Sequence, residues 1–299
     1  MVETSDWVFL ASDDIELALV PDLGGSLAYF RWRGIHVMRP LTSGDAAARN
    51  VLGAAMFPMV PFANRVTGNT FTIDGKCYHL QPNIEGQRFH VHGTGWQLPW
   101  RVERAAAEIS VLALDVQAGV DPFSYRATQS FHLHSDGFEV GMELINLGGE
   151  RMPMGMGLHP WFRREPGMDV EFEARHYYLE GPDYTSGERT DLPAELDFSR
   201  PRQLPDRWLN NDFGDWKGNA RIRFPADDYT VTITADPVFN HLMVYSDPAA
   251  PFFCIEPQSN AAGALNRMPQ DNLEGDIAIL GPGECLSGRI RFRVDSGVG

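Results

Sequence analysis

Cysteine, basic residues and long apolar runs are all in short supply in this sequence. The only cysteines are Cys77, Cys254 and Cys285, widely scattered and with no C-x-x-C spacing. That pattern excludes a disulfide scaffold and a thiolate zinc site of the finger type. Basic residues number 25 against 40 acidic ones, for a formal charge of −15. So negative a surface repels phosphate backbones and anionic headgroups, which excludes nucleic acid and membrane surfaces as partners. The longest apolar stretch, Val51 to Ala63, contains two prolines and falls short of the roughly 20 residues a membrane-crossing helix needs. The start, MVETSDWVFLASDDIE, lacks a basic segment followed by an apolar one. A cytoplasmic protein without a signal peptide is therefore expected. Helix-period stretches are scarce too, and G-x-G-x-x-G is absent, against a doubly wound nucleotide-binding fold.

What the chain does have is period-2 alternation and 43% hydrophobic residues, enough to fill a core. The run YRATQSFHLH, the turn signal SDG and the run FEVGMELIN predict a hairpin over 125–146. ISVLALDV, DVEFEAR, ARIRFP, YTVTITA, HLMVYS and LSGRIRFRV read as further strands. One short helical stretch is expected near Gly44 to Met56. Gly (29) and Pro (21) are spread evenly and no linker stands out, so residues 1–299 are expected to form one domain. Many short strands between turns predict an all-β, large antiparallel sandwich or barrel, with its ligand on a concave sheet face.

Five places interrupt the apolar strands with reactive groups. In FPMVPFANRVTG, Asn64 and Arg65 follow packed residues, so Arg65 needs a carboxylate or an array of ligand hydroxyls. In FHVHGTGW, His90 and His92 are two apart and would share one face of an extended segment. A metal there would need a third ligand, and none is adjacent. His132 and His134, just before the SDG turn, read as solvent-facing or structural. His159 ends an apolar, glycine-bearing strand and is followed by Pro160, Trp161 and Phe162, surroundings that tune an imidazole for proton transfer. The loop LNNDFGDW offers Asn210, Asn211 and Asp212. Glu256 terminates an apolar strand in FFCIEPQSN, with Gln258 on the same face. A carboxylate so placed is either paired or kept for proton transfer.

Taken in order, these elements resemble the aldose 1-epimerase (galactose mutarotase) family. Pro58 to Arg65 matches its P-x-x-P-x-x-N-R element, and Gly68 to Phe71 with Gly75 to Leu80 matches the stretch that follows. His92-Gly93 with Trp96, Gly155 to Phe162, and Ile255-Glu256-Pro257-Gln258 match later elements. The resemblance implies a β-supersandwich that interconverts the α and β anomers of a free aldose, with no metal and no organic cofactor. It places Glu256 as catalytic base and His159 as catalytic acid. Asn64, Arg65, His92, Asn210, Asp212 and Gln258 would bind the monosaccharide substrate, in a monomer or homodimer. One departure stands out: the family's substrate-binding Asp falls in register on Asn210, with Asp212 two residues late. Two alternatives remain open on the same fold. A hexose-6-phosphate mutarotase would use Arg88, Arg163 or Arg164 for the phosphate, and a non-catalytic sugar-binding module would need no acid–base pair.

Overall fold

The computed structural model describes residues 6–268 and 275–297. The alternation seen in the sequence is realised as antiparallel sheet. Tyr125–His134 and Gly137–Asn146 form the expected hairpin, with His134 opposite Gly137 and Tyr125 opposite Asn146. Every second residue along both strands is buried, the pattern of a sheet with one face on the core and one towards solvent. His132 and His134 lie on the outer face, His132 opposite Glu139.

This hairpin belongs to an eight-stranded sheet. Its order is Arg101–Ala105, Ile109–Val116, Tyr125–His134, Gly137–Asn146, Cys285–Ser296, Tyr229–Ala235, Asn219–Phe224 and Asp169–Phe172. Facing it is an eleven-stranded sheet whose middle runs Met56–Met59, Gly157–Arg163, Phe252–Gln258, His241–Ser246. Phe30 of the larger sheet meets Phe138 of the smaller edge to face at 5.0 Å, and Phe138 stacks on Phe292 at 5.0 Å. All three are fully buried, so the main core lies between the sheets.

The middle strands of the large sheet differ from the hairpin. Phe252–Gln258 is buried at every position but the first, and Gly157–Arg163 at all but two. They are covered on both faces, which is why their sequences run apolar without alternation. Polar groups on these strands are therefore enclosed.

The short helical stretch breaks into a helix, Ser43–Ala47, and a 3-10 turn, Val51–Gly53. Thr42 caps the helix by accepting the Asp45 N–H at 3.0 Å. The chain then turns at Arg49, which has a left-handed φ of 52°, ending the helix before it can lengthen. Among the described residues no helix is long and apolar enough to cross a membrane.

Phe138 touches both sheets and has no exposure. Phe138→Ala should lower the free energy of unfolding by about 3–5 kcal/mol, read from the urea midpoint. A loss below about 1 kcal/mol would mean the sheets do not close on this cluster.

Candidate active site

The site assembles on the enclosed strands. Gly157–Arg163 pairs with Met56–Met59 on one side, placing His159 opposite Phe57. On the other side Gly157 pairs with Gln258 and Trp161 with Cys254, which sets His159 across from Glu256. The His159 ring stacks between Phe57 and Trp161, at 4.5 and 5.1 Å. Its Nε2 lies 3.3 Å from Glu256 Oε1. Exposure is only 9% for His159 and 2% for Glu256, yet both line a cavity of about 370 Å³.

Burial decides the protonation of this pair. It pushes the Glu256 carboxyl well above the usual carboxylate range, with the Arg65 charge opposing it. It pulls His159 down to about 3, helped by the Arg39 guanidinium. Burial thus disfavours the charged form of both groups.

A turn at the cavity wall places His92. Asn64, His92 and Gly93 all have left-handed backbones, with φ of 66°, 60° and 62°. Only glycine fits at 93, because a Cβ there would lie 2.3 Å from Pro61 Cδ. His92 Nδ1 accepts the Asn64 N–H at 3.0 Å, which leaves the imidazole proton on Nε2. Burial, together with the His159 and Arg65 charges, holds His92 well below its ordinary pKa. It is thus a neutral N–H donor. His92 does not share a face with His90, contrary to the parity argument, because the left-handed residue breaks the extended run. His90 Nδ1 contacts the Gln81 carbonyl at 2.6 Å instead.

Arg65 meets no carboxylate within salt-bridge distance among the described residues. Its Nη2 donates to Gln87 Oε1 at 3.1 Å and its guanidinium sits 5.4 Å from the Tyr184 ring. The rest of the fork borders the cavity. Asn210 lines it too, and its amide donates to Glu180 Oε1 at 2.5 Å. The other oxygen, Glu180 Oε2, accepts from Trp208 Nε1 at 2.7 Å. Trp208 closes an aromatic wall with Tyr245 (5.2 Å), Tyr184 (5.8 Å) and Trp161, which meets Tyr245 at 5.6 Å.

Two expected site residues lie behind this wall. Asp212 spends one oxygen on His241 Nδ1 at 3.2 Å and the other on the Ala262 N–H at 2.8 Å. Gln258 is fully buried, and neither amide atom has a partner among the described residues. Trp96 also sits behind, donating to the Gly93 carbonyl at 3.0 Å and stacking on Phe57 at 5.4 Å. Reading the sequence missed Glu180, Gln87, Tyr184, Trp208 and Tyr245. No local pattern marks them, since Glu180 and Tyr245 come from separate strands and Gln87, Tyr184 and Trp208 from the segments between strands. Cys254 is a third potential ligand beside the pair: its thiol, the His159 ring nitrogen and a Glu256 oxygen lie within 4.8 Å of one another.

Comparisons with known proteins establish the family and the fold. A family model described as aldose 1-epimerase matches residues 8–293. The chain belongs to the aldose 1-epimerase family. It is 37% identical over 285 residues to YphB, an uncharacterized protein of Escherichia coli strain K12, covering 92% of this chain and 94% of that one. A crystal structure from Escherichia coli K12, with a provisional designation as aldose 1-epimerase, superposes with a TM-score of 0.89. Identity to it is 34%, over 97% of this chain and 99% of the other. The galactose 1-epimerase of Lactobacillus acidophilus NCFM shares the fold, with a TM-score of 0.77 and 16% identity, over 97% and 94% of the two chains. The all-β architecture is that of the galactose mutarotase-like proteins.

The Asp212–His241 pair makes stability depend on pH. Burial works against a charged His241, but Asp212 and Asp276 outweigh it and push the imidazole up to about 9. A folded-state value above the unfolded one of about 6.5 means stability is full below pH ~6.5 and lost as pH rises through ~9. Urea unfolding of the wild type should weaken by up to about 3 kcal/mol over that window. Asp212→Asn should be destabilised at neutral pH and lose most of the slope. An unchanged slope in that variant would assign the pH dependence to another group.

Proposed function

We propose that this protein is an aldose 1-epimerase that interconverts the α and β anomers of a free, unphosphorylated aldose by acid–base ring opening and closure. The observation that carries this reading is the 3.3 Å contact between His159 Nε2 and Glu256 Oε1 on the wall of the cavity. Ring opening removes the proton from the anomeric hydroxyl and delivers one to the ring oxygen. A carboxylate and an imidazolium side by side supply both transfers with no net change in their summed charge. In the reactive tautomer Glu256 is the carboxylate that takes the hydroxyl proton, and His159 is the imidazolium that protonates the ring oxygen. Rotation about C1–C2 and closure from the other face then give the opposite anomer, with the two roles exchanged.

The remaining groups position the sugar. The His92 Nε2–H and the Arg65 fork are donors for the ring-oxygen region and nearby hydroxyls, while Asn64 and Asn210 offer amides. The aromatic wall of Trp161, Trp208 and Tyr245 is suited to the apolar face of a pyranose. About 370 Å³ is near the small end of ligand pockets, roughly 300–1,000 Å³, and suits one sugar ring.

A phosphorylated substrate is less well supported. Arg88 pairs with Asp183 at 3.0 Å, Arg163 with Glu165 and Asp227 at 2.6 and 2.8 Å, and Arg164 donates to the Ser246 hydroxyl. None of the three lines the cavity. A glycosidase would want a second carboxylate, and Glu256 is the only carboxylate among the described lining residues. A purely sugar-binding module would have no use for a buried acid–base pair. Free thiols at Cys77, Cys254 and Cys285 support a cytoplasmic setting.

Glu256→Gln and His159→Ala should each slow anomerisation at least about a hundredfold while circular dichroism stays native. NMR of freshly dissolved α-galactose, α-glucose and α-arabinose reads the rate directly. Near wild-type rates in either variant would remove that residue from the chemistry. Exhaustive chelation should leave the rate intact, and loss restored by one divalent ion would contradict the cofactor-free reading. Glu180 holds the amide of Asn210 and the indole of Trp208 in place. A glutamine there can accept only one of those two bonds, so Glu180→Gln should raise KM about tenfold with kcat little changed. An unaltered KM would show that Asn210 needs no such support.

A further inference from the structure

Cys254 has no part in the acid–base reading, yet it stands beside the reacting pair. It lies two residues before Glu256 on the same strand, so both side chains leave the same face. Its cross-strand partner is Trp161, two residues from His159. The thiol is fully buried, and burial pushes its pKa well above the ordinary value, with the Glu256 charge adding to this and Arg39 opposing it. As a nucleophile it is inert. As a ligand it completes a set of one sulfur, one nitrogen and one oxygen.

We propose that His159, Cys254 and Glu256 form a three-ligand site for a thiophilic divalent cation, zinc or cadmium, whose occupation takes the acid–base pair out of action. The site rests on geometry alone, and only the inhibitory consequence rests on the function proposed above. Tetrahedral zinc, with bonds of about 2.0–2.3 Å, holds its ligand atoms roughly 3.3–3.8 Å apart. The His159–Glu256 contact at 3.3 Å already has that spacing, and all three ligand atoms lie within 4.8 Å of one another. A small inward movement of the thiol completes the triangle. The fourth position opens on the cavity that His159 and Glu256 line, where water or a sugar hydroxyl can occupy it. Magnesium and calcium are excluded as ligands of choice, because they take oxygen sets and a thiolate suits neither.

On binding, the cation displaces the thiol proton of Cys254 and any proton on the ligand atoms of His159 and Glu256, and these leave to solvent. The Arg39 and Arg65 charges stand close enough to act on Cys254 and Glu256. They oppose a dication, which makes this a reversible inhibitory site and not a resident structural one.

Cys77 and Cys285 are exposed thiols, so the test uses a Cys77→Ser/Cys285→Ser background. Cadmium alone is titrated into that protein while the ultraviolet charge-transfer band of the cadmium–thiolate bond is followed. One equivalent should saturate the band, and adding Cys254→Ser should abolish it. His159→Ala should weaken binding at least about tenfold. Zinc should slow mutarotation relative to each protein's own metal-free rate, with chelator restoring it, and Cys254→Ser should remove that sensitivity. No band, or a band that survives Cys254→Ser, would overturn the site. A one-equivalent band with mutarotation unslowed would also overturn it, since the cation would not be sitting on His159 and Glu256. A protein that forms the band but never catalyses mutarotation keeps the site and loses the proposed reaction.

Discussion

The structure depends on keeping one carboxyl and one imidazole in contact where water is scarce. Desolvation penalises charge on either group, pushing the carboxyl up and the imidazole down. The site needs strands enclosed on both faces, as those in the middle of the eleven-stranded sheet are. It also needs a backbone that presents donors without adding carboxylates. The left-handed turn at Asn64, His92 and Gly93 does this, because a backbone N–H fixes the His92 tautomer. The reactive pair is therefore held by sheet register and its neighbours by a turn.

Charge is disposed so that the cavity stays close to neutral. Arg65 is the cationic residue in its lining, and its nearest compensation comes from Glu256 and from Glu180 behind Asn210. An amide, Asn210, lines the wall, and the carboxylate of Glu180 stands one layer back, accepting from it. Asp212 is engaged elsewhere, bound to His241 and to a backbone N–H. An electroneutral pocket on a chain of net charge −15 suits an uncharged sugar, which needs hydrogen bonds and an apolar stacking surface more than an ion partner.

Much of this was legible in the sequence, for reasons that differ between elements. The hairpin over 125–146 declared itself because one face meets solvent and the alternation survives. His159 and Glu256 stood out because a polar residue on an apolar strand needs a reason. Parity failed at His90 and His92, since nothing in FHVHGTGW announces a non-glycine residue at positive φ. The choice between Asn210 and Asp212 was beyond local reading. It turns on Leu209–Gly214 pairing with His241–Ser246, which brings His241 opposite Gly214 and within reach of Asp212. Glu180 and the aromatics Tyr184, Trp208 and Tyr245 are scattered over more than 60 positions of the chain and gather only in the folded structure, two of them from segments flanking the strands.

If His159 and Glu256 deliver and remove protons in one concerted ring opening, the two residues work as a unit, and removing both costs little more than removing the more important one. A double-mutant cycle on the mutarotation rate, with Glu256→Gln, His159→Ala and the combined variant followed by NMR, measures this directly. The account predicts a double variant within a few-fold of the slower single variant. Losses that multiply would show two groups acting independently and would contradict it.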